Sequence, residues 1–282
     1  MGINWFLDYT ATVPTSSLPS SAKKVLYIDD PFALSLAEIQ TKARAAPGSV
    51  WHIVGEPNRK AGMDPASIVP TLHDIYQAIR AADPTAKITS PSVLNWEFTC
   101  YGCGGYQQGE IWVDNFRATW LSYYGQEPPV DIWAIDLFPI DWTRIPTTRT
   151  EEVLNDLQAM RRYLDNVPGQ AGKPIWITEL GLHWGWSDMQ YGVAGCEGKP
   201  TPAGTYRTEA VKSYLQTMFG WLVQNKTALK IEKWFILSTY YDIVKCNYAS
   251  YAGMTLFNGP EPSSGLTEIG QFVRDWATGQ RN

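Results

Sequence analysis

Two glutamates hold the same kind of position in this sequence. Glu56 follows the apolar run Trp51-His52-Ile53-Val54-Gly55, and Glu179 follows Ile175-Trp176-Ile177-Thr178. Each run is short and rich in β-branched and aromatic residues, so each carboxyl stands at the C-terminal end of an expected strand. Where parallel strands close into a barrel, that end is the face on which active sites are built. Further expected strands begin at Lys87, Val130 and Pro174, so the two glutamates are three strand–helix units apart. In a ring of eight strands that spacing sets them across the mouth from one another. Facing carboxyls suit the cleavage of a glycosidic bond. One, with a raised pKa, protonates the leaving oxygen, and the other, ionised, attacks or activates water.

The elements that must position them alternate along the chain. Strands are expected at Ile3–Leu7, Val25–Ile28, Val50–Val54, Lys87–Ser90, Val130–Ile135, Pro174–Thr178 and Lys233–Leu237. Helices are expected after a capping box at Ser35 and Glu38, after Asp64-Pro65, from Thr150, from Arg207 to Lys226 and from Thr267 to Thr278. This βα rhythm predicts an α/β fold, a (β/α)8 barrel. Seven strands are legible where eight are needed, so the first is expected to be absent or irregular. No linker or repeat interrupts the rhythm, and residues 1–282 read as one catalytic barrel domain.

Composition narrows the function classes. The chain has 282 residues, 44% hydrophobic and 18% charged, against a usual charged share of about 25%. That content supports a large core and excludes disorder. The net charge is −5 with no basic run, which disfavours nucleic acid as a partner. No apolar stretch is long enough to span a membrane, and the start MGINWFLDYT lacks the regions of a signal peptide. Aromatic residues are abundant, with 13 Trp, 15 Tyr and 9 Phe, many beside Gly, Pro and Asp in expected loops. Flat apolar side chains in loops suit a sugar ligand.

The segment Ile53-Val54-Gly55-Glu56-Pro57-Asn58 resembles the acid/base motif of the retaining (β/α)8 glycoside hydrolases of clan A. Lys173-Pro174-Ile175-Trp176-Ile177-Thr178-Glu179-Leu180-Gly181 resembles the nucleophile strand of the same clan. The resemblance implies Glu56 on the fourth strand as general acid/base and Glu179 on the seventh as nucleophile. Val130-Asp131-Ile132-Trp133 looks like the sixth strand and Trp234 to Leu237 like the eighth, so the likeness runs from Val50 to Trp276. Asn4-Trp5 is similar to the second strand of the small endo-β-1,3-glucanase-type members, which makes the missing element the first strand. A β-linked oligosaccharide or polysaccharide is the implied substrate, with no cofactor and no metal.

The sequence departs from the clan pattern in two places. Gly55 stands where the clan usually has an Asn that bonds the sugar 2-hydroxyl. Asp136 and Phe138 stand where a His and a Tyr are common, the Tyr hydroxyl normally holding the nucleophile. These departures imply an altered substrate, a replacement donor from a loop residue such as Asn95, Tyr240 or Tyr241, or a slow or dead enzyme, and a non-catalytic carbohydrate-binding barrel is the alternative reading. Substrate-binding candidates are Asn58, Asn95, Trp96, Phe138, Trp142, His183, Trp184, Trp186, Tyr240 and Trp5. His52 and His73 are expected to be structural.

Cys100, Cys103, Cys196 and Cys246 all fall in loops on the expected catalytic face. Two disulfides pinning long loops fit an extracellular enzyme, whereas four thiolates holding a structural Zn²⁺ are the alternative. A secreted or extracellular protein is expected, monomeric unless an open barrel invites a dimer.

Overall fold

The computed structural model describes residues 5–13, 22–141, 143, 149–182, 189–190, 201–202, 208–240 and 253–279. The element order is β1 (Trp5–Leu7), β2 (Lys23–Ile28), α1 (Leu36–Ala45), β3 (Val50–Ile53), α2 (Pro65–Ala82), β4 (Lys87–Ile88), β5 (Val93–Leu94) and α3 (Gly109–Tyr124). It continues with β6 (Trp133–Leu137), α4 (Thr150–Asp165), β7 (Ile175–Leu180), the short hairpin β8 (Met189–Gln190) and β9 (Thr201–Pro202), α5 (Thr208–Leu229), β10 (Ile231–Ile236) and α6 (Glu268–Thr278).

Among the described residues every pairing is parallel apart from the hairpin and an isolated antiparallel bridge between Phe257 and Leu266. One run is β1-β2-β3-β4 and the other β5-β6-β7-β10. Parallel bridges Gly55 to Ser92 and Thr89 to Ile132 join the two runs. β4 and β5 are therefore two halves of one barrel position, broken at Pro91, which has no N–H to give to a ladder. Seven barrel positions result, as the sequence predicts, and among the described residues no ladder joins β1 to β10.

The expected helices start where their caps lie. Ser35 and Glu38 form the reciprocal capping box of α1, Asp64 caps α2 through the Ser67 N–H, and Thr267 caps α6 through the Gly270 N–H. α3 is a helix that the sequence reading does not contain. Its first turn has no side-chain cap at Gln108, so no start signal marks it, yet Trp112, Val113, Phe116 and Trp120 line its buried side.

Two strands lie further along the chain than expected. β6 runs to Leu137, and β7 runs to Leu180, so Glu179 belongs to its strand instead of following it. On β7 one extra residue, Thr178, is accommodated between the Ile135–Ile177 and Asp136–Glu179 pairs. This bulge sets Glu179 level with Asp136.

Strand side chains alternate between two interiors. Leu26, Ile28, Trp51, Ile53, Ile135 and Ile177 pack outward against the helices in the main core. Val25, Val50, Ile132 and Trp176 meet inside the barrel floor, with Trp5 and Phe235 against them. Both faces of β3 and β6 are buried throughout, so these strands read as largely apolar runs.

Candidate active site

Polar residues replace apolar ones as the barrel interior rises from floor to mouth. Tyr27 follows Val25 on the inner face of β2, and His52 follows Val50 on β3. The two pair in register, and their rings stack at 4.8 Å with an angle of 10°. Above them stand three carboxylates, Glu56, Asp136 and Glu179, with oxygens within 4.8 Å of one another. Asp136 is buried and placed by two hydroxyls: Thr178 donates to its Oδ1 at 2.6 Å, and Ser92 Oγ lies 2.7 Å from its Oδ2. Three carboxylate oxygens this close could also surround a cation, one ligand each, but hydroxyl contacts already place Asp136.

Electrostatics follow from this crowding. Burial, then the nearby charge of Glu56, pushes Asp136 up to about 7, against the opposing hydroxyl bonds of Thr178 and Ser92. Burial and the charges of Asp136 and Glu56 likewise push Glu179 above the usual carboxylate range, while a bond from Tyr9 opposes the rise. The Tyr9 hydroxyl donates that bond to Glu179 Oε1 at 2.6 Å. Tyr9 is 44% exposed as a residue, but its hydroxyl end is turned in among the carboxylates. Burial of that end and the Glu179 charge keep the phenol protonated far above its ordinary pKa. Glu56 is ion-paired with Arg59, three residues on in the following turn.

Three residues of the site hold left-handed backbone: Tyr9 at φ 59°, Val54 at φ 67° and Glu56 at φ 52°. A β-branched residue such as Val54 is rare there, and such strain gathers at functional sites. The turn lifts Glu56 off the end of β3, where its N–H bonds the Ser92 carbonyl at 2.6 Å.

Gly55 has a steric cause. A Cβ on it would overlap the Tyr27 hydroxyl, which donates to Asp29 at 2.7 Å. Burial opposes ionisation of Asp29, but the bonds from Lys60 and Tyr27 hold its carboxyl below the usual range. Tyr27 therefore fills the space that a side chain at position 55 would take.

A cavity of about 360 Å³ opens beside Glu179, lined by Asp8, Tyr9, Thr178, Ser238 and Tyr240 among others. The geometry is thus a strand-end carboxylate pair with a third carboxyl, Asp136 of β6, at the rim of an α/β barrel. The family model described as "Glycosyl hydrolase catalytic core" matches residues 1–272. The chain belongs to this glycosyl hydrolase family. No curated protein sequence matches it.

Solved structures agree on the fold of this glycosyl hydrolase core. A glycoside hydrolase family 128 subgroup II endo-β-1,3-glucanase from Pseudomonas viridiflava is similar with a TM-score of 0.62 and 18% identity, over 98% of this chain and 89% of that one. A subgroup I endo-β-1,3-glucanase from Amycolatopsis mediterranei, in complex with laminaritriose, is similar with a TM-score of 0.61 and 18% identity, over 98% and 91%. A subgroup V exo-β-1,3-glucanase from Cryptococcus neoformans is similar with a TM-score of 0.57 and 15% identity, over 99% and 90%.

The glycosyl hydrolase core distributes the expected binding residues unevenly. Tyr240 lines the cavity beside Glu179. Asn58 is buried under the rim, where its amide bonds the Leu94 and Gln107 carbonyls and its oxygen accepts from the Leu94 N–H. Asn95, also buried, bonds the Phe138 backbone in both directions, together with Tyr106 and Thr99. Trp96 is sealed in the main core, and Phe138 packs on Gly181, which has no Cβ to obstruct the ring. Trp5 stands edge-on to Trp176 at 5.4 Å in the barrel floor. These five are packing and scaffold residues in this structure, because strand alternation and the β5–α3 turn direct them inward. Trp142, His183, Trp184, Trp186, Cys196, Cys246 and Tyr241 lie outside the described residues.

Cys100 and Cys103 form a disulfide, so the four-thiolate zinc reading loses two of its ligands. His52 and His73 are in structural surroundings, His73 stacking on Tyr124 at 3.9 Å. The residues that sequence reasoning missed are Tyr9 and Tyr27. Tyr9 carries no motif, and its only signal is an aromatic two residues past a short strand.

Proposed function

We propose that this protein is a retaining β-glucanase acting on β-1,3-linked glucan, with Glu56 as general acid/base and Glu179 as nucleophile. One observation carries the reading: one carboxylate oxygen of Glu56 and one of Glu179 lie within 4.8 Å, which favours the closer of the two spacings that glycoside hydrolases use. Retaining enzymes set their carboxyls about 5 to 5.5 Å apart, whereas inverting ones leave roughly 6.5 to 9.5 Å for a water. The glucanases of similar fold, one of them bound to laminaritriose, supply the substrate class.

In the first step Glu179 attacks the anomeric carbon while Glu56 gives its proton to the departing glycosidic oxygen. This forms a glycosyl-enzyme ester and frees the leaving chain. Glu56, now a carboxylate, then takes a proton from water, whose oxygen displaces Glu179 and restores the starting state. Tyr9 holds Glu179 in line and stabilises its charge through the 2.6 Å bond. The Tyr27 phenol takes the space that a side chain at position 55 would occupy.

We read residues 1–282 as one catalytic domain, monomeric, working in an oxidising extracellular setting. The Cys100–Cys103 disulfide supports that compartment. The deciding experiment is hydrolysis of laminari-oligosaccharides by wild type and Glu179→Gln, with product anomers followed by NMR. Turnover with retained configuration that vanishes in the variant is expected. Glycan binding without turnover in the wild type would make this a carbohydrate-binding barrel instead.

A further inference from the structure

Beneath the carboxylate trio runs a buried chain of polar groups that the mechanism above does not use. Thr89, His52, Ser92 and Asp136 are all buried, and they touch in that order. Thr89 Oγ1 is 2.7 Å from His52 Nδ1, Ser92 Oγ is 3.3 Å from His52 Nε2, and Ser92 Oγ is 2.7 Å from Asp136 Oδ2. Thr89 Oγ1 also donates to the Ser90 carbonyl at 2.8 Å.

A hydroxyl has one hydrogen to give, and that fixes the directions. With the Thr89 hydrogen on the Ser90 carbonyl, the contact to His52 is filled by the Nδ1–H. A neutral ring then leaves Nε2 as an acceptor, and the Ser92 hydrogen fills it, since the same hydrogen turned to Asp136 would leave that buried nitrogen without a bond. The short contact between Ser92 and Asp136 then needs a hydrogen from Asp136. The reverse order strips the Ser90 carbonyl of this bond and sets a second negative charge beside Glu179, among carboxylates within 4.8 Å of one another.

We propose that Asp136 is a proton-bearing positioning residue: its carboxyl donates to Ser92, Ser92 to His52 and His52 to Thr89, so the negative charge of the trio rests on Glu179. This rests on the catalytic roles proposed above and deepens them. Glu56 needs a proton to act as acid and Glu179 must lack one to attack, and a second charge, on Asp136, would oppose the ionisation of Glu179. A neutral Asp136 spares the nucleophile that repulsion while keeping its place through Thr178.

The surroundings agree. Burial presses the His52 ring down to about 3, with Asp29 opposing and Lys60 assisting, so the ring is neutral. Burial and Glu56 raise Asp136 to about 7. The charged and titratable groups around the chain are Glu56, Glu179, Asp29, Lys60 and Arg59, with the phenols of Tyr9 and Tyr27.

The test is the tautomer of His52 in the whole protein, read from ring ¹⁵N shifts near neutral pH. The chain has three histidines, and the His52 signals are assigned by their loss in His52→Gln. A hydrogen on Nδ1 with a bare Nε2 is expected; a hydrogen on Nε2, or an imidazolium, overturns the proposal. This reading needs no turnover, so an inactive wild type would refute the hydrolase assignment without touching it. In the active enzyme, Asp136→Asn fixes the neutral form, and the alkaline limb of kcat/KM is expected to move to higher pH. A loss of about a hundredfold or more at every pH, with that limb unmoved, would show that the anion is needed and overturn the proposal.

Discussion

The Tyr9 phenol reaches Glu179 with a 2.6 Å hydrogen bond across 170 residues of sequence. β1 and β7 are not neighbours in either ladder, so only the curvature of the barrel brings the phenol to the carboxylate. The position that would hold the nucleophile by resemblance, Phe138, has no hydroxyl and packs on Gly181. The support has moved from the sixth strand to the segment after β1.

Tyr9→Phe should therefore lower kcat by roughly tenfold to a hundredfold, the worth of one bond to a charged group. The sign of the pH effect also follows. The Tyr9 bond opposes the rise of the Glu179 pKa, so its loss lets that pKa climb further and moves the acid limb of kcat/KM to higher pH. An unmoved limb in a pH series would refute Tyr9 as the support of the nucleophile.

Gly55 and Tyr27 should be coupled. A Cβ at position 55 overlaps the Tyr27 hydroxyl, so Gly55→Ala should cost about 1 to 3 kcal/mol of stability. In a Tyr27→Phe background the hydroxyl is gone and the cost should shrink by at least roughly 0.5 kcal/mol. Urea denaturation of the four variants measures this difference, and strict additivity would show that the overlap is relieved some other way.

Asp156 on α4 accepts three backbone N–H groups, from Trp96 at 2.8 Å, Glu97 at 2.9 Å and Phe98 at 3.0 Å. Burial still raises its carboxyl to about 6 against these bonds. Asp156→Ala should cost about 3 kcal/mol or more, because it leaves those donors without their acceptor. Limited proteolysis should then cut first between Trp96 and Tyr106, the segment that this carboxylate fastens.

The Cys100–Cys103 disulfide closes a very short loop, with a sequence separation of 3. The chain-entropy model gives such a loop only about 2 kcal/mol. Serine replacement of both residues should lower Tm by a few degrees at most, as followed by calorimetry. Collapse of the fold in that variant would show that the bridge does more than restrict the unfolded loop.

Much of this architecture is legible in the residues themselves. Seven β-rich runs and five capped or periodic helices carry local signals, because strand-end turns and N-caps use side chains adjacent in sequence. Glu56 and Glu179 are legible for the same reason: each ends a run whose pattern places it at the mouth. α3 escapes notice because Gln108 makes no side-chain cap, and the split at Pro91 because each half-strand is two residues long.

The sequence by itself determined the fold class and the two glutamates, since both depend on period and on chain neighbours. Only the tertiary structure decided what surrounds them. Asn58, Asn95 and Trp96 follow strand ends as binding residues would, yet they turn inward to bond backbone or fill the core. Tyr9, Tyr27 and Asp136 reach the site because barrel curvature, strand register and the Thr178 bulge bring distant segments to one height. Those relations are set by packing across the barrel, which no local stretch of the chain encodes.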